Sequence, residues 1–436
     1  MSERAARSRL LKSALCLLLL ASGAARAQTQ EPPEKPPRLK RDHFGKSLER
    51  LRWDAEQKRA VEAARAGAKK GEVGEEEEDE VVRVETSLVV CDVLVLDSQG
   101  RAVTGLGRED FLITEDGRPQ EVGDFALGDS ANVPRSIVLI LDYSGSMRPF
   151  IANSVLAAKL LVDQLNPRDR MALVTDNVEL LVDFTRDKEK LRKKLDDLKR
   201  KAISEDFTPG KYGKSLQYSA LMATLRELFD EEDTRPIVIF QTDGDELSLL
   251  RGSSVPVYEL SGMSSKSLQA MRAKVEAKRA QFSIEDVFQT AERSRATIYT
   301  VIPGVRLIGL EPGEEPVKAK ALRSAYEATM TVTGNAEVDA LREPVLEYIV
   351  RYWPQHQLTL DDLSKLTGGR TSFLEKPSQA TGVYADIFND IGRRYVVGFY
   401  PTNKERDGKR RRVQIDVRGH PEYTVWGRKS YYAPKP

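Results

Sequence analysis

Ser136–Leu141 reads SIVLIL and runs directly into Asp142-Tyr143-Ser144-Gly145-Ser146. A near-continuous apolar run of strand length marks a strand buried on both faces, the condition of a parallel sheet covered by helices. Two later segments repeat it, Pro236–Thr242 (PIVIFQT) and Thr297–Ile302 (TIYTVI). Met171–Thr175, Val178–Phe184 and Arg370–Leu374 read as further strands. Helical periodicity lies between them at Ile151–Leu165, Lys188–Lys201, Leu216–Phe229, Leu360–Leu366 and Val383–Arg393. Strands alternating with helices predict an α/β fold with a doubly wound, mostly parallel sheet.

Outward from this block the pattern changes on both sides. Val81–Leu96 (VVRVETSLVVCDVLVL) alternates with period two, and short strands with Gly turns follow to Leu127. Tyr395–Tyr400, Arg412–Val417 and Tyr423–Gly427 alternate in the same way. The expected division is residues 81–132 as a β-rich segment, 133–394 as the α/β domain and 395–436 as a β segment packing with 81–132. The α/β domain would then be inserted in, or flanked by, a small β-sandwich-like domain. Two stretches of 133–394 read as insertions, near 250–295 and 305–357. The first contains a long polar helical region, Ser265–Arg295. The second holds a helix-like stretch to Met330 and an irregular Trp353-Pro354.

Residues 28–80 are polar and charge-dense, with Glu75–Glu80 (EEEEDE) as a self-repelling block. They read as a charged spacer, disordered or partly a solvated helix over Ser47–Lys70. Before them, Arg4, Arg7, Arg9 and Lys12 precede the apolar Ala14–Ala21, and Ala25-Arg26-Ala27 is a small-x-small signal. This is the plan of a secretory signal peptide, cleaved near Ala27 and leaving Gln28 first. The apolar run is too short to span a bilayer, and no later segment approaches that length. An exported, soluble mature chain is expected, periplasmic or secreted.

The 436 residues carry 68 basic and 67 acidic side chains, net +1, with two Cys and three His. Loss of residues 1–27 would leave 63 basic against 66 acidic groups, net −3, and Cys91 alone. One thiol excludes an internal disulfide, and its strand setting reads as a buried small hydrophobe. Balanced charge argues against a dedicated nucleic-acid binder. The basic cluster Lys409–Arg412 reads as a solvated hairpin tip, and Tyr423, Trp426, Tyr431 and Tyr432 as β-core. His43, His356 and His420 include no HExxH pair, which argues against a zinc hydrolase. No GxSxG elbow or orienting acid supports a Ser nucleophile, and no Gly-rich phosphate loop follows a strand. A metal here should be a hard ion held by oxygen.

In open α/β sheets, ligands bind at the carboxyl ends of strands. Asp142, Ser144 and Ser146 follow the first buried strand. Asp243-Gly244-Asp245-Glu246 follows the second, and Gly213-Lys214-Ser215 precedes a helix between them. Mg²⁺ takes six oxygens, commonly one or two carboxylates with hydroxyls and waters. Asp245 and Glu246 read as exposed loop acids, and Asp176 as a weaker candidate on the same rim.

Asp142-x-Ser144-x-Ser146 resembles the metal-ion-dependent adhesion site of the von Willebrand factor type A domain. Thr242-Asp243-Gly244 resembles that family's later strand end, and Gly213–Leu221 its distant hydroxyl loop and helix, with Ser215 where Thr is usual. Asp97-x-x-Gly100, Glu115-Asp116-Gly117, Thr367-Gly368-Gly369 and the terminal Tyr431-Tyr432-Ala433-Pro434 make the layout similar to an exported bacterial family related to this domain. The resemblance implies Ser144, Ser146 and Ser215 as direct ligands of a divalent cation, Mg²⁺ first and Mn²⁺ or Ca²⁺ as alternatives. Asp142 and Asp243 would act mainly through water. It further implies a non-enzymatic binding protein whose metal coordinates an Asp or Glu of a protein partner, in adhesion or envelope assembly. The competing expectation is a structural envelope component with a degenerate, metal-free domain.

Overall fold

The computed structural model describes residues 44–62, 88–127, 134–144, 147–204, 215–230, 235–256, 269, 273, 276–328 and 342–434. The predicted signal peptide, the acidic block at 75–80 and residues 81–87 lie outside the described residues.

The centre is a six-stranded sheet. Its strands are β7 (Arg135–Leu141), β8 (Arg170–Thr175), β9 (Glu179–Thr185), β10 (Arg235–Gln241), β11 (Thr297–Pro303) and β12 (Thr371–Leu374). Their order is β12-β11-β10-β7-β8-β9, with only β9 antiparallel. β7, β10 and β11 are buried at every residue. Period-two geometry sends their side chains alternately to two cores. Ile137, Leu139 and Leu141 meet α2 (Arg148–Asp163), α3 (Lys188–Ser204) and α8 (Ala380–Arg393) on one face. Val138 and Ile140 meet α4 (Gln217–Glu227), α5 (Ile284–Arg293) and α7 (Arg342–Leu366) on the other. The domain is thus doubly wound. α6 (Glu315–Glu327) lies against α7, where Tyr326 and Trp353 meet edge to face at 5.6 Å.

The two flanking β segments share two sheets. One has the order β15-β3-β13-β6 and the other β16-β14-β4-β5. The strands are β3 (Val89–Leu96), β4 (Phe111–Glu115), β5 (Arg118–Gln120), β6 (Val122–Leu127), β13 (Tyr395–Phe399), β14 (Arg410–Val417), β15 (Thr424–Trp426) and β16 (Ser430–Tyr432). β13 lies between β3 and β6, so distant parts of the sequence interleave. The inward residues, among them Cys91, Val93, Phe111, Tyr395 and Val413, make one core. Burial raises the Cys91 thiol pKa to about 11, which keeps it an unreactive hydrophobe. Two of the tail side chains differ from expectation. Trp426 is 37% exposed, and Arg411 is buried in an ion pair with Glu115 at 3.2 Å.

Arginines fasten the sandwich to the amino-terminal end of the parallel sheet. Arg235 at the start of β10 reaches Asp92 (2.9 Å) and the Ile391 carbonyl (3.0 Å). Arg394 reaches the carbonyl of Gly368 at 2.7 Å, and Arg410 and Ser430 both donate to Glu292. The opposite, carboxyl-terminal end is left to the loops that hold the candidate site.

Three expectations need correction. Part of the predicted spacer is built into the domain: residues 44–62 form α1 (Lys46–Glu49) and an antiparallel hairpin, β1 (Leu51–Asp54) with β2 (Arg59–Glu62). Leu51 is buried in the core beside α4. The Glu227 carboxylate at the end of α4 accepts the Gly45 and Ser47 amides at 2.8 Å each. Sparse apolar residues among many charges hid this strap. Second, the helix expected at Leu360–Leu366 starts at Arg342 and runs through Pro354. Proline costs a helix one hydrogen bond and a clash, about 3 kcal/mol, and packing against the sheet outweighs that here. Third, the single polar helix expected over Ser265–Arg295 is broken: residues 276–278 are helical, 279–283 are not, and the chain then enters α5. That helix starts at Ser283, whose hydroxyl accepts the Asp286 amide at 3.2 Å while its own amide donates to Asp286 at 2.8 Å.

Leu51→Ala should cost about 2–5 kcal/mol by leaving a cavity under the strap. Urea unfolding is the check, and a spacer role would give a midpoint unchanged from wild type.

Candidate metal centre

β7 and β10 are adjacent and parallel, so Asp142 and Asp243, just beyond their last residues, reach the same edge. The Asp142 amide donates to the Gln241 carbonyl at 3.1 Å, fixing the two strand ends together. Asp142 is 2% exposed. Its Oδ1 accepts the Ser144 amide at 2.9 Å, and its Oδ2 accepts Gln217 Nε2 and Thr242 Oγ1 at 3.0 Å each. The Ser144 hydroxyl donates to the same carboxyl group. Ser144 and Asp243 are both buried, and Asp243 Oδ1 accepts the Asp245 amide at 3.3 Å. Gly244 follows with φ +74°; a Cβ there would meet Leu360 Cδ1 at 3.1 Å and the Tyr218 hydroxyl at 3.3 Å. The turn therefore requires glycine on both counts. Ser146, Gly213 and Lys214 lie outside the described residues.

Ser215 stands two residues before α4 with φ +53°, an uncommon conformation for a residue with a side chain. Its amide donates to Asp176 Oδ2 at 3.1 Å, and the Leu216 amide donates to the Asp176 carbonyl at 3.1 Å. Asp176 Oδ1 accepts the Tyr143 amide at 3.2 Å. This carboxyl, just beyond β8 and fully buried, thus ties the loop after β7 to the loop carrying Ser215. The sequence made Asp176 a weak candidate because no motif includes it.

Asp245 and Glu246 also depart from expectation. Glu246 is buried, and its carboxyl group accepts the Ser219 hydroxyl (2.5 Å) and amide (3.0 Å) in the first turn of α4. Asp245 is half-buried and shares Gln217 with Asp142, accepting Nε2 at 2.6 Å. Gln217 Oε1 in turn accepts the Glu246 amide at 3.2 Å. Gln217 was missed altogether; its only sequence signal is a polar residue opening an otherwise buried helix.

The electrostatics follow from burial. Desolvation raises the pKa of Asp142, against hydrogen bonds from Ser144, Gln217 and Thr242 that lower it. Desolvation, then the Asp142 charge, pushes Asp176 up to about 8. Burial lifts Asp245 and Glu246 to about 7 each. Neutral donors hold all four, and no Lys or Arg pairs with them among the described residues. Among the described residues no cluster of three His, Cys, Asp or Glu side chains forms a ready metal site. A cation here would need hydroxyl and water ligands beside carboxylate, and Ser144, Ser215, Asp142 and Asp243 are hard oxygen donors of that kind. His356 does not serve this edge as a base. It is buried in α7, not in a loop, stacked on Trp353 at 5.0 Å, and burial lowers it to about 4. His420 does have an acid, Glu422 at 2.9 Å, but the pair is exposed on the sandwich.

An acid with a raised folded pKa holds a proton that the unfolded chain has released. Folded stability therefore falls as pH rises from the unfolded value near 4 towards about 8 for Asp176. In EDTA, Tm should drop between about pH 5 and pH 8, and Asp176→Asn should flatten that drop. A Tm that climbs across this interval would contradict these environments.

Residues 137–246 match the family model described as the von Willebrand factor type A domain. No curated protein matches the chain. Similar solved structures include the proximal thread matrix protein 1 of the mussel byssus, at 14% identity and TM-score 0.28, over 59% of this chain and 47% of that one. The chain thus spans about half the length of that protein. The manganese-loaded TRAP protein of Plasmodium vivax is similar at 12% identity and TM-score 0.28, over 75% and 100% of the two chains. The vWF domain of the type V pili tip protein Mfa5 from Porphyromonas gingivalis is similar at 14% identity and TM-score 0.30, over 60% and 96%. The matched segment runs from within β7 through Glu246, and so through both strand ends and Ser215, and over these residues the chain matches the von Willebrand factor type A domain.

Proposed function

We propose that the carboxyl edge of the parallel sheet binds a divalent cation, Mg²⁺ first, through Asp142, Ser144, Ser146, Ser215 and Asp243, and that the protein is an exported, non-enzymatic binding protein. The partner would complete the cation's shell with an Asp or Glu carboxylate, in adhesion or envelope assembly. The observation that supports this reading is electrostatic. Asp142, Asp176, Asp245 and Glu246 are gathered at one sheet edge with raised pKa values and only neutral donors. A bound cation would supply the counter-charge and a partly dehydrated ligand position for a carboxylate.

The chain's own residues do the positioning. Gln217 Nε2 bridges Asp142 and Asp245, at 3.0 and 2.6 Å, and Thr242 also donates to Asp142 Oδ2. Asp176 keeps Ser215 and the Tyr143–Ser144 turn in register. Serine at 215 offers the hydroxyl without the methyl that restricts threonine's rotamer. Among the described residues no helix is long and apolar enough to cross a membrane.

Calorimetric titration should show Mg²⁺ binding that Asp142→Ala abolishes. At a hundredfold excess over Kd, binding adds about 2.7 kcal/mol to folding stability. Heat and Tm unchanged by Mg²⁺ would leave the metal-free structural reading instead. Capture of an envelope partner should be lost in EDTA, and the recovered chain should begin at Gln28 by mass spectrometry.

A further inference from the structure

A second cleft lies at the other end of the parallel sheet, away from the candidate metal centre. The parallel sheet ends laterally in β12, and one sandwich sheet ends in β15. A cleft of about 430 Å³ opens between them, with Lys365, Arg370, Thr371, Val425, Trp426 and Lys429 on its walls. Two terminal strands of different sheets therefore border one space, and a terminal strand presents main-chain groups that an added strand can pair with.

The ladder register says which main-chain groups are offered. β15 pairs with β3 as Thr424 with Leu96, Val425 with Val95 and Trp426 with Leu94. The Val95 carbonyl accepts the Val103 amide at 2.8 Å, on the side of β3 away from β15. Antiparallel pairs alternate between hydrogen-bonded and open. Leu94 and Leu96 therefore carry the bonds to β15, and Val425 turns its own N–H and C=O outward. The side chains around it are cationic. Lys365 pairs with Asp361 at 2.6 Å. Arg370 shares Asp390 with Arg394, at 3.5 and 3.3 Å. Lys429 makes no ion pair among the described residues and is exposed. Positive charge exceeds negative, and the exposed Trp426 adds an apolar surface.

We propose that this cleft binds an extended acidic peptide segment of a partner protein, its main chain paired to Val425 and its carboxylates met by Lys429 and Arg370. Strand addition takes affinity from main-chain bonds and selectivity from alternate side chains. The alternating arrangement of one main-chain hook and flanking cations suits a chain that alternates acidic and apolar residues.

Fluorescence anisotropy on the full chain tests this, with EDTA present so that the cation edge is silent. The probes are a fluorescein-labelled peptide alternating Glu and Val, its Lys/Val counterpart, and labelled polygalacturonate. The Glu/Val peptide should bind and the Lys/Val peptide should not. Val425→Pro removes the outward N–H at an edge strand, where proline is tolerated, and should weaken binding about tenfold. Lys429→Glu, which changes an exposed side chain with no ion pair among the described residues, should weaken it at least as much. Equal binding of the two peptides, preference for polygalacturonate, or wild-type affinity in Lys429→Glu would overturn the proposal. Binding that vanishes in EDTA would overturn it too, by moving the peptide to the cation edge.

Discussion

A parallel sheet covered by helices on both faces has no room for polar chemistry except at the two ends of its strands. In this protein the two ends carry opposite charge problems. Asp142, Asp176, Asp243, Asp245 and Glu246 crowd the carboxyl ends of β7, β8 and β10. Arginines crowd the amino ends, and there the charges are met: Arg135 pairs with Asp169 at 2.5 Å and Arg235 with Asp92 at 2.9 Å, all within a nearly dry interior. Breaking such a buried pair costs about 3–5 kcal/mol, because the remaining charge stays in a poor solvent. At the carboxyl end, amide and hydroxyl donors only partly offset desolvation, so the pKa values of Asp142, Asp176, Asp245 and Glu246 are raised. The imbalance of compensation, rather than the number of acids, sets that end apart.

The parallel sheet was legible because burial on both faces leaves a composition signature. SIVLIL, PIVIFQT and TIYTVI each became β7, β10 and β11 within a residue or two. The strand ends were legible for the same reason: where an apolar run stops at Asp, the acid must sit at the sheet's edge. What failed was inference about side chains whose burial depends on a distant element. Asp245-Glu246 looks like an exposed acidic loop until Ser219, on a helix 27 residues earlier, is seen donating to Glu246. Arg411 sits in a basic run, yet Glu115 from 296 residues away draws it inward. Pro354 looks like a helix break, because proline's local cost is visible in sequence and the compensating packing is not. The strap was lost to averaging. Charge density over residues 28–80 describes the segment as a whole, while docking rests on Leu51 and a few amides.

The strap and the acid cluster are joined by one helix. Glu227, at the last turn of α4, holds the Gly45 and Ser47 amides; Gln217 and Ser219, in its first turn, hold Asp142, Asp245 and Glu246. A built Cβ on Gly45 would lie 3.0 Å from Val178, two residues past Asp176, so the strap also closes over the turn after β8. Val178 (φ +59°) and Ser215 (φ +53°) both have left-handed backbone, and Val178 is β-branched. Each such residue costs about 1–3 kcal/mol. The Asp176 carboxyl accepts the Ser215 amide across this strained region, and a hydrogen bond to a charged group contributes about 1.5–3 kcal/mol against 0.5–1.5 for a neutral one. Protonation of Asp176 therefore weakens the restraint by an amount comparable to the strain it opposes. Asp176 thus links the charge at the sheet edge to the backbone at Ser215, and α4, which follows Ser215, is held at its far end by the strap.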